Sequence, residues 1–161
     1  MLPATLSTAA FSFAHNDVQP SLLVQPATTG ASWADHGSGA ALDVTVFKTS
    51  VPSGWSAVSD YAQEGYGTAG TFTNWQRPYG PPIAIKQAGD GALLSKPTGW
   101  SKIYTADASS PFTLWRATPP KGFVAIGDVG TTDGKPPPAD APYVVISEQC
   151  VASCDADTLL W

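Results

Sequence analysis

Three aspartates, Asp60, Asp107 and Asp128, each stand just after a run of strand-forming residues, in "GWSAVSD", "GWSKIYTAD" and "GFVAIGD". A carboxylate can accept two hydroxyl hydrogen bonds from a sugar, and loops at the ends of rigid strands commonly carry binding groups. The plainer reading is an Asx-turn that ends each strand, with the side chain bonded to nearby backbone. Trp33, in the small-residue run "GASWADHGSG", is the candidate for an exposed aromatic that could stack on a ligand. Asp60, Asp107, Asp128 and Trp33 are therefore the candidate ligand-binding residues.

Chemistry beyond binding has little to work with. The two histidines, His15 and His36, lie in Gly-, Asp- and Ser-rich surroundings and read as exposed loop residues. A Ser-His-Asp site needs an oriented constellation, and neither a Gly-x-Ser-x-Gly elbow nor a glycine-rich phosphate loop is present. Enzymatic activity and cofactors are not expected. Asp155 and Asp157 in "CDADT", with Asp133 and Asp140 upstream, fall short of the six or more oxygens of a calcium loop and read as solvated turns. Cys150 and Cys154 lack two further ligands for structural zinc, so no metal is expected. They could bridge only if the segment turns; the favoured reading is two reduced, partly buried thiols.

The elements that would position the aspartates come from an internal repeat. "LDVTVFKTSVPSGWSAVSDYA" at 42–62 aligns with "SPFTLWRATPPKGFVAIGDVG" at 110–130 without a gap, at an offset of 68. Phe47 falls on Trp115, Lys48 on Arg116, Pro52 on Pro120, Gly54 on Gly122 and Asp60 on Asp128. A third copy, "FTNWQRPYGPPIAIKQAG", starts at Phe72, and partial copies occupy 95–107 and 158–161. Self-similarity of this kind is the first thing to read in a chain. The unit predicts a β-hairpin: β-branched and aromatic residues suit a pleated surface, and the Pro-x-Gly step supplies the turn. Hairpins are expected near 44–60, 72–88 and 112–129. The aromatics at 47, 75 and 115, and at 55, 100 and 123, are aligned and read as core. A lone hairpin is unstable in water, so several must pack together. The last copy stops after one strand, Thr158 to Trp161, whose simplest partner is "PSLLVQPA" at 20–27. That pairing would sew the termini together and bury Trp161.

Composition agrees with an all-β chain. At 161 residues it is one domain, 1–161, able to bury a real core. Only 13% of residues are charged, while 15 Gly and 15 Pro supply many turns and leave little room for helix. The net charge of −5 and eight scattered Lys and Arg lack the basic footprint that nucleic acid needs. No apolar run is long enough for a transmembrane segment, and the first 20 residues lack the basic start and continuous apolar stretch of a signal peptide. A cytoplasmic chain, one released without a recognisable signal, or a mature form all fit.

The stretch "GWSKIYTADASSPFTLWRATPPKGFVAIGDVGTTDGKPP", followed by "YVVISEQCV", resembles the vacuolar protein sorting-associated protein sixty-two family. The likeness is good over 99–151, recognisable over 31–90 and absent over 1–30. It implies a β-prism of three short antiparallel sheets about a pseudo-threefold axis. It also implies a targeting or membrane-recognition module, in some relatives beside pore-forming domains, with no enzymatic activity to carry over. The sugar-site signatures of the well-known prism lectins are missing. The leading expectation is a non-catalytic, lectin-like module for glycans or glycolipids at a cell surface, in a defence or toxin system. The alternatives are an intracellular trafficking adaptor that binds a protein partner and a self-associating structural protein.

Overall fold

In "VTVFKTS" every second residue, Thr45, Phe47 and Thr49, is buried, and in "FTLWRAT" Phe112, Thr113, Trp115 and Ala117 are. Both become the central strand of a sheet. A computed structural model describes residues 20–36, 43–66, 81–106 and 111–152. In chain order its strands are β1 (Ser21–Pro26), β2 (Thr28–Ala34), β3 (Val44–Ser50), β4 (Tyr61–Glu64), β5 (Ile83–Ala88) and β6 (Leu94–Ser95). They continue with β7 (Gly99–Ala106), β8 (Phe112–Thr118), β9 (Phe123–Val124), β10 (Asp128–Thr131) and β11 (Val145–Ser147), before a 3-10 turn at Glu148–Cys150. The described fold is all-β. Its strands form four small antiparallel sheets, ordered β2-β3-β4, β10-β8-β7, β6-β11-β9 and β1-β5. The all-β, antiparallel expectation holds, with four sheets among the described residues.

The offset of 68 is built into the geometry. β3 and β8 start at 44 and 112 and end at 50 and 118. Phe47 faces Tyr61 across β3–β4 as Trp115 faces Val129 across β8–β10. Each central strand also follows a bulged strand, irregular between Thr29 and Ser32 in β2 and between Lys102 and Tyr104 in β7. The turns repeat as well. Trp55 N–H donates to Pro52 O at 3.0 Å and Phe123 N–H to Pro120 O at 3.2 Å. Gly54 and Gly122 take φ of 76° and 83°, the left-handed value that the third residue of a type II turn requires.

The arm after each turn departs from a plain hairpin. Instead of folding straight back, it crosses to another sheet: Ser56 bridges Ile85, Ala57 bridges Tyr143, and β9 pairs with β11. Only then does the chain return, as β4 or β10, to its own central strand. The crossing carries Ala57 and Val58 into cores shared between sheets, where both are buried. One such core joins Val58, Ile85, Val144 and Ile146; a second joins Ala57, Val129 and Tyr143. The third lies between the two repeats and holds Trp33, Ala106 and Phe112.

The repeats also touch at equivalent residues. Asp60 N–H donates to Asp128 O at 2.9 Å, and a Cβ at Gly127 would lie 2.3 Å from that of Ser59. Ser59 and Gly127 are themselves 68 apart, so one must be glycine for the loops to meet. The run at 20–27 is a strand, β1, but among the described residues it pairs with β5. The expected closing strand at 158–161, with Trp161, and the first strand of the third copy at 72–75 lie outside the described residues. Cys150 is exposed at the 3-10 turn rather than partly buried, and Cys154 lies outside the described residues.

Candidate functional site

The sequence candidates divide on inspection. Asp60 is not a free loop carboxylate: its side chain is only 2% exposed. Its Oδ2 accepts from Lys48 Nζ at 3.0 Å and Gly130 N–H at 2.9 Å. Its Oδ1 accepts from Thr49 N–H at 3.2 Å and from the Tyr143 hydroxyl. Asp60 therefore ties β3, β10 and the segment before β11 into one knot. Asp128 receives both Nε and Nη2 of Arg116 at 2.8 Å, a bidentate pair that raises the guanidinium pKa further. Lys48–Asp60 and Arg116–Asp128 are the same pair in two repeats, which explains why cation and aspartate recur together. Both carboxylates serve the repeat itself. Asp107 lies outside the described residues.

Trp33 is a correction. It is 8% exposed, with its ring stacked on Phe112 at 4.2 Å and 14°. The small residues before it belong to bulged β2, and the pairing of Trp33 with Val46 carries its ring into the core between repeats. Its counterpart in the second repeat is Tyr104, which pairs with Leu114, the equivalent of Val46, and is 53% exposed. Of the histidines, His36 is exposed and lies against Tyr66 at 3.8 Å; His15 is outside the described residues.

Lys48 organises what the surface can offer. It is the cation of the first repeat, 40% exposed, and donates to Asp60 Oδ2 and Gly130 O while sitting 5.6 Å from the Tyr143 ring centroid. Burial first, then the charge of Asp60 and the hydrogen bond to it, push the Tyr143 hydroxyl well above the usual tyrosine range. Two open cavities meet at this lysine. One, of about 500 Å³, runs from Lys48 and Thr49 along the type II turn to Ser53 and Trp55, with Pro142 on its flank. The other, of about 410 Å³, runs from Lys48 and Thr49 past Thr131, Thr132 and Asp133 to the prolines at 136–138. Pro142 borders both. Asp133 accepts Lys135 N–H at 3.1 Å, as in an Asx-turn. Among the described residues no three His, Cys, Asp or Glu side chains cluster as a metal would need. No helix of the described residues is long and apolar enough to cross a membrane.

The comparisons bear on this surface only through the fold. The chain is similar to GNIP1Aa from Chromobacterium piscinae. The crystal structure of that protein aligns with a TM-score of 0.62 and 28% identity, covering 80% of this chain and 24% of that one. The chain thus spans about a quarter of its structural neighbour. No family model and no curated protein matches the sequence.

Sequence reasoning missed Pro142, Tyr143, Thr131 and Thr132 as site residues. For Pro142 and Tyr143 the signal was weak, since "PPPADAPYV" reads only as a proline-rich connection. Trp55 was noticed, but as a core position. It is only partly buried and lines the larger cavity.

Proposed function

We propose that the chain is a non-catalytic recognition module for glycans or glycolipids at a cell surface. The observation that carries this reading is the match of this fold to about a quarter of a longer chain, GNIP1Aa. A β-fold that occupies one part of a longer protein suits a portable binding unit, with chemistry left to other parts. The two open cavities at Lys48 offer hydroxyl, carboxylate and aromatic groups. The setting in a defence or toxin system, and membership of the vacuolar protein sorting-associated protein sixty-two family, belong to the same proposal and rest on the sequence resemblance. Fold by itself does not assign function. The test is a printed glycan array probed with the labelled chain. Binding to a defined subset of glycans, competed by the free oligosaccharide, is expected; a blank array contradicts the reading.

A protein partner is the second reading, favoured by Leu23, Val24 and Ile83, which are 45%, 59% and 40% exposed on the β1–β5 sheet. In that case binding to cells is lost on protease treatment of their surface and survives glycosidase treatment.

A further inference from the structure

We infer that the two cavities at Lys48 are one extended site for a neutral oligosaccharide, with Lys48 at its waist. The inference rests on the glycan reading above and names the site and the ligand chemistry.

Four observations lead to it. The cavities share Lys48, Thr49 and Pro142 in their walls, so they adjoin at the lysine and a ligand lying over it would contact both. Their volumes, about 500 and 410 Å³, both fall within the roughly 300–1,000 Å³ range of small-molecule sites. Together they make a trough suited to a chain of sugar units rather than a compact ligand. Second, the walls carry both hydroxyls and carbon-rich groups: Ser53 and Trp55 on one arm, Thr132 and Pro136 on the other. A pyranose has the matching character, with hydroxyls at its rim and C–H groups on its faces. An aromatic ring in contact with such a face provides apolar area and fixes orientation.

Third, the lysine of the trough is already paired. The ammonium of Lys48 is paired with Asp60, and Asp133 lines the far arm. An anionic sugar would meet Asp133 on the far arm and, with Lys48 paired, only Lys86 Nζ at the edge of the other arm beside Gly54, so a neutral ligand is favoured. An ammonium has three donors. Lys48 gives one to Asp60 and one to Gly130 O, which leaves a third for a sugar hydroxyl. Fourth, the waist is stiff. The bonds of Asp60 to Lys48, Thr49, Gly130 and Tyr143 fix the middle of the trough, and preorganisation lowers the entropic cost of binding.

The experiment uses the full chain on a glycan array, with three variants confirmed as folded by circular dichroism. Ser53 and Thr132 are exposed, one on each arm, so Ser53→Arg and Thr132→Arg obstruct the two halves with little strain on the fold. Ile126→Arg, at an exposed apolar residue outside both cavities, is the control. The expected result is binding of neutral oligosaccharides by the parent and the control, with a loss of at least tenfold in each blocking variant. Four results overturn the inference. If the parent binds and neither blocking variant loses affinity, the site is elsewhere while the glycan reading stands. A loss in only one variant overturns the extended site, and binding confined to acidic glycans overturns the neutral ligand. If the parent binds no glycan at all, the glycan reading falls with the site.

Discussion

Removing the carboxylate of Asp60 should cost far more than removing that of Asp128, although the two occupy the same position in their repeats. Asp60→Ala leaves Thr49 N–H, Gly130 N–H and the Tyr143 hydroxyl without their acceptor and Lys48 without its counter-charge. Each buried group left unpaired costs about 1–3 kcal/mol. These losses do not add in full, because Lys48 is 40% exposed and can turn towards water. A total of about 3–5 kcal/mol is expected, the range seen when one partner of a buried pair is removed. Asp128→Ala breaks a pair whose arginine side chain is 55% exposed. An ion pair so open to solvent is worth only about 0.2–1 kcal/mol. At about 2–4 °C per kcal/mol for a domain of this size, Asp60→Ala should lower Tm by roughly 6–20 °C and Asp128→Ala by at most about 4 °C. Urea unfolding of both variants, read by the midpoint at unchanged slope, supplies the two free energies. Equal losses would refute the assignment of Asp60 as the knot between β3, β10 and Tyr143.

The remaining predictions concern packing and pH. Gly127→Ala should destabilise by about 1–3 kcal/mol through its clash with Ser59, and adding Ser59→Gly should recover most of that loss. Additive effects in the denaturation midpoints would mean that the two loops do not meet. Trp33→Ala should cost about 3–5 kcal/mol by emptying its place against Phe112, and a Tm close to the parent's would return Trp33 to the surface. The Tyr143 hydroxyl is held protonated in the folded chain, whereas an unfolded tyrosine ionises near pH 10. Above about pH 10 the unfolded state binds fewer protons than the folded one, so stability falls as pH rises. Urea midpoints measured across that range should decline more steeply for the parent than for Tyr143→Phe; identical slopes would contradict the raised value.

The sequence made the repeat legible because the constraint is local and pairwise. Lys48 with Arg116, Asp60 with Asp128 and Gly54 with Gly122 recur at one offset, since each repeat needs its own ion pair and its own turn glycine. The partner of each residue was not legible. The run "GWSAVSD" has the composition of a returning hairpin strand, and nothing local says that Ser56 and Ala57 will bridge other sheets. That choice depends on burial in cores assembled from distant segments. The same applies to the recurring aspartates, whose binding and structural roles look alike until burial is known. Trp33 and Tyr104 show the limit most clearly. They occupy equivalent strand positions, yet the core between the repeats takes up the first and leaves the second in solvent. The trough at Lys48 draws on segments more than 80 residues apart, so no window of sequence contains it.

The most direct test of a glycan-recognition role is flotation of the chain with vesicles that differ only in their sugars. Phosphatidylcholine vesicles carrying neutral glycolipids should bring the chain to the top of the gradient. The same vesicles, treated with glycosidases that trim the headgroups to ceramide, should leave it at the bottom. Equal flotation with trimmed and untrimmed vesicles, or none with either, would contradict recognition of a glycan surface.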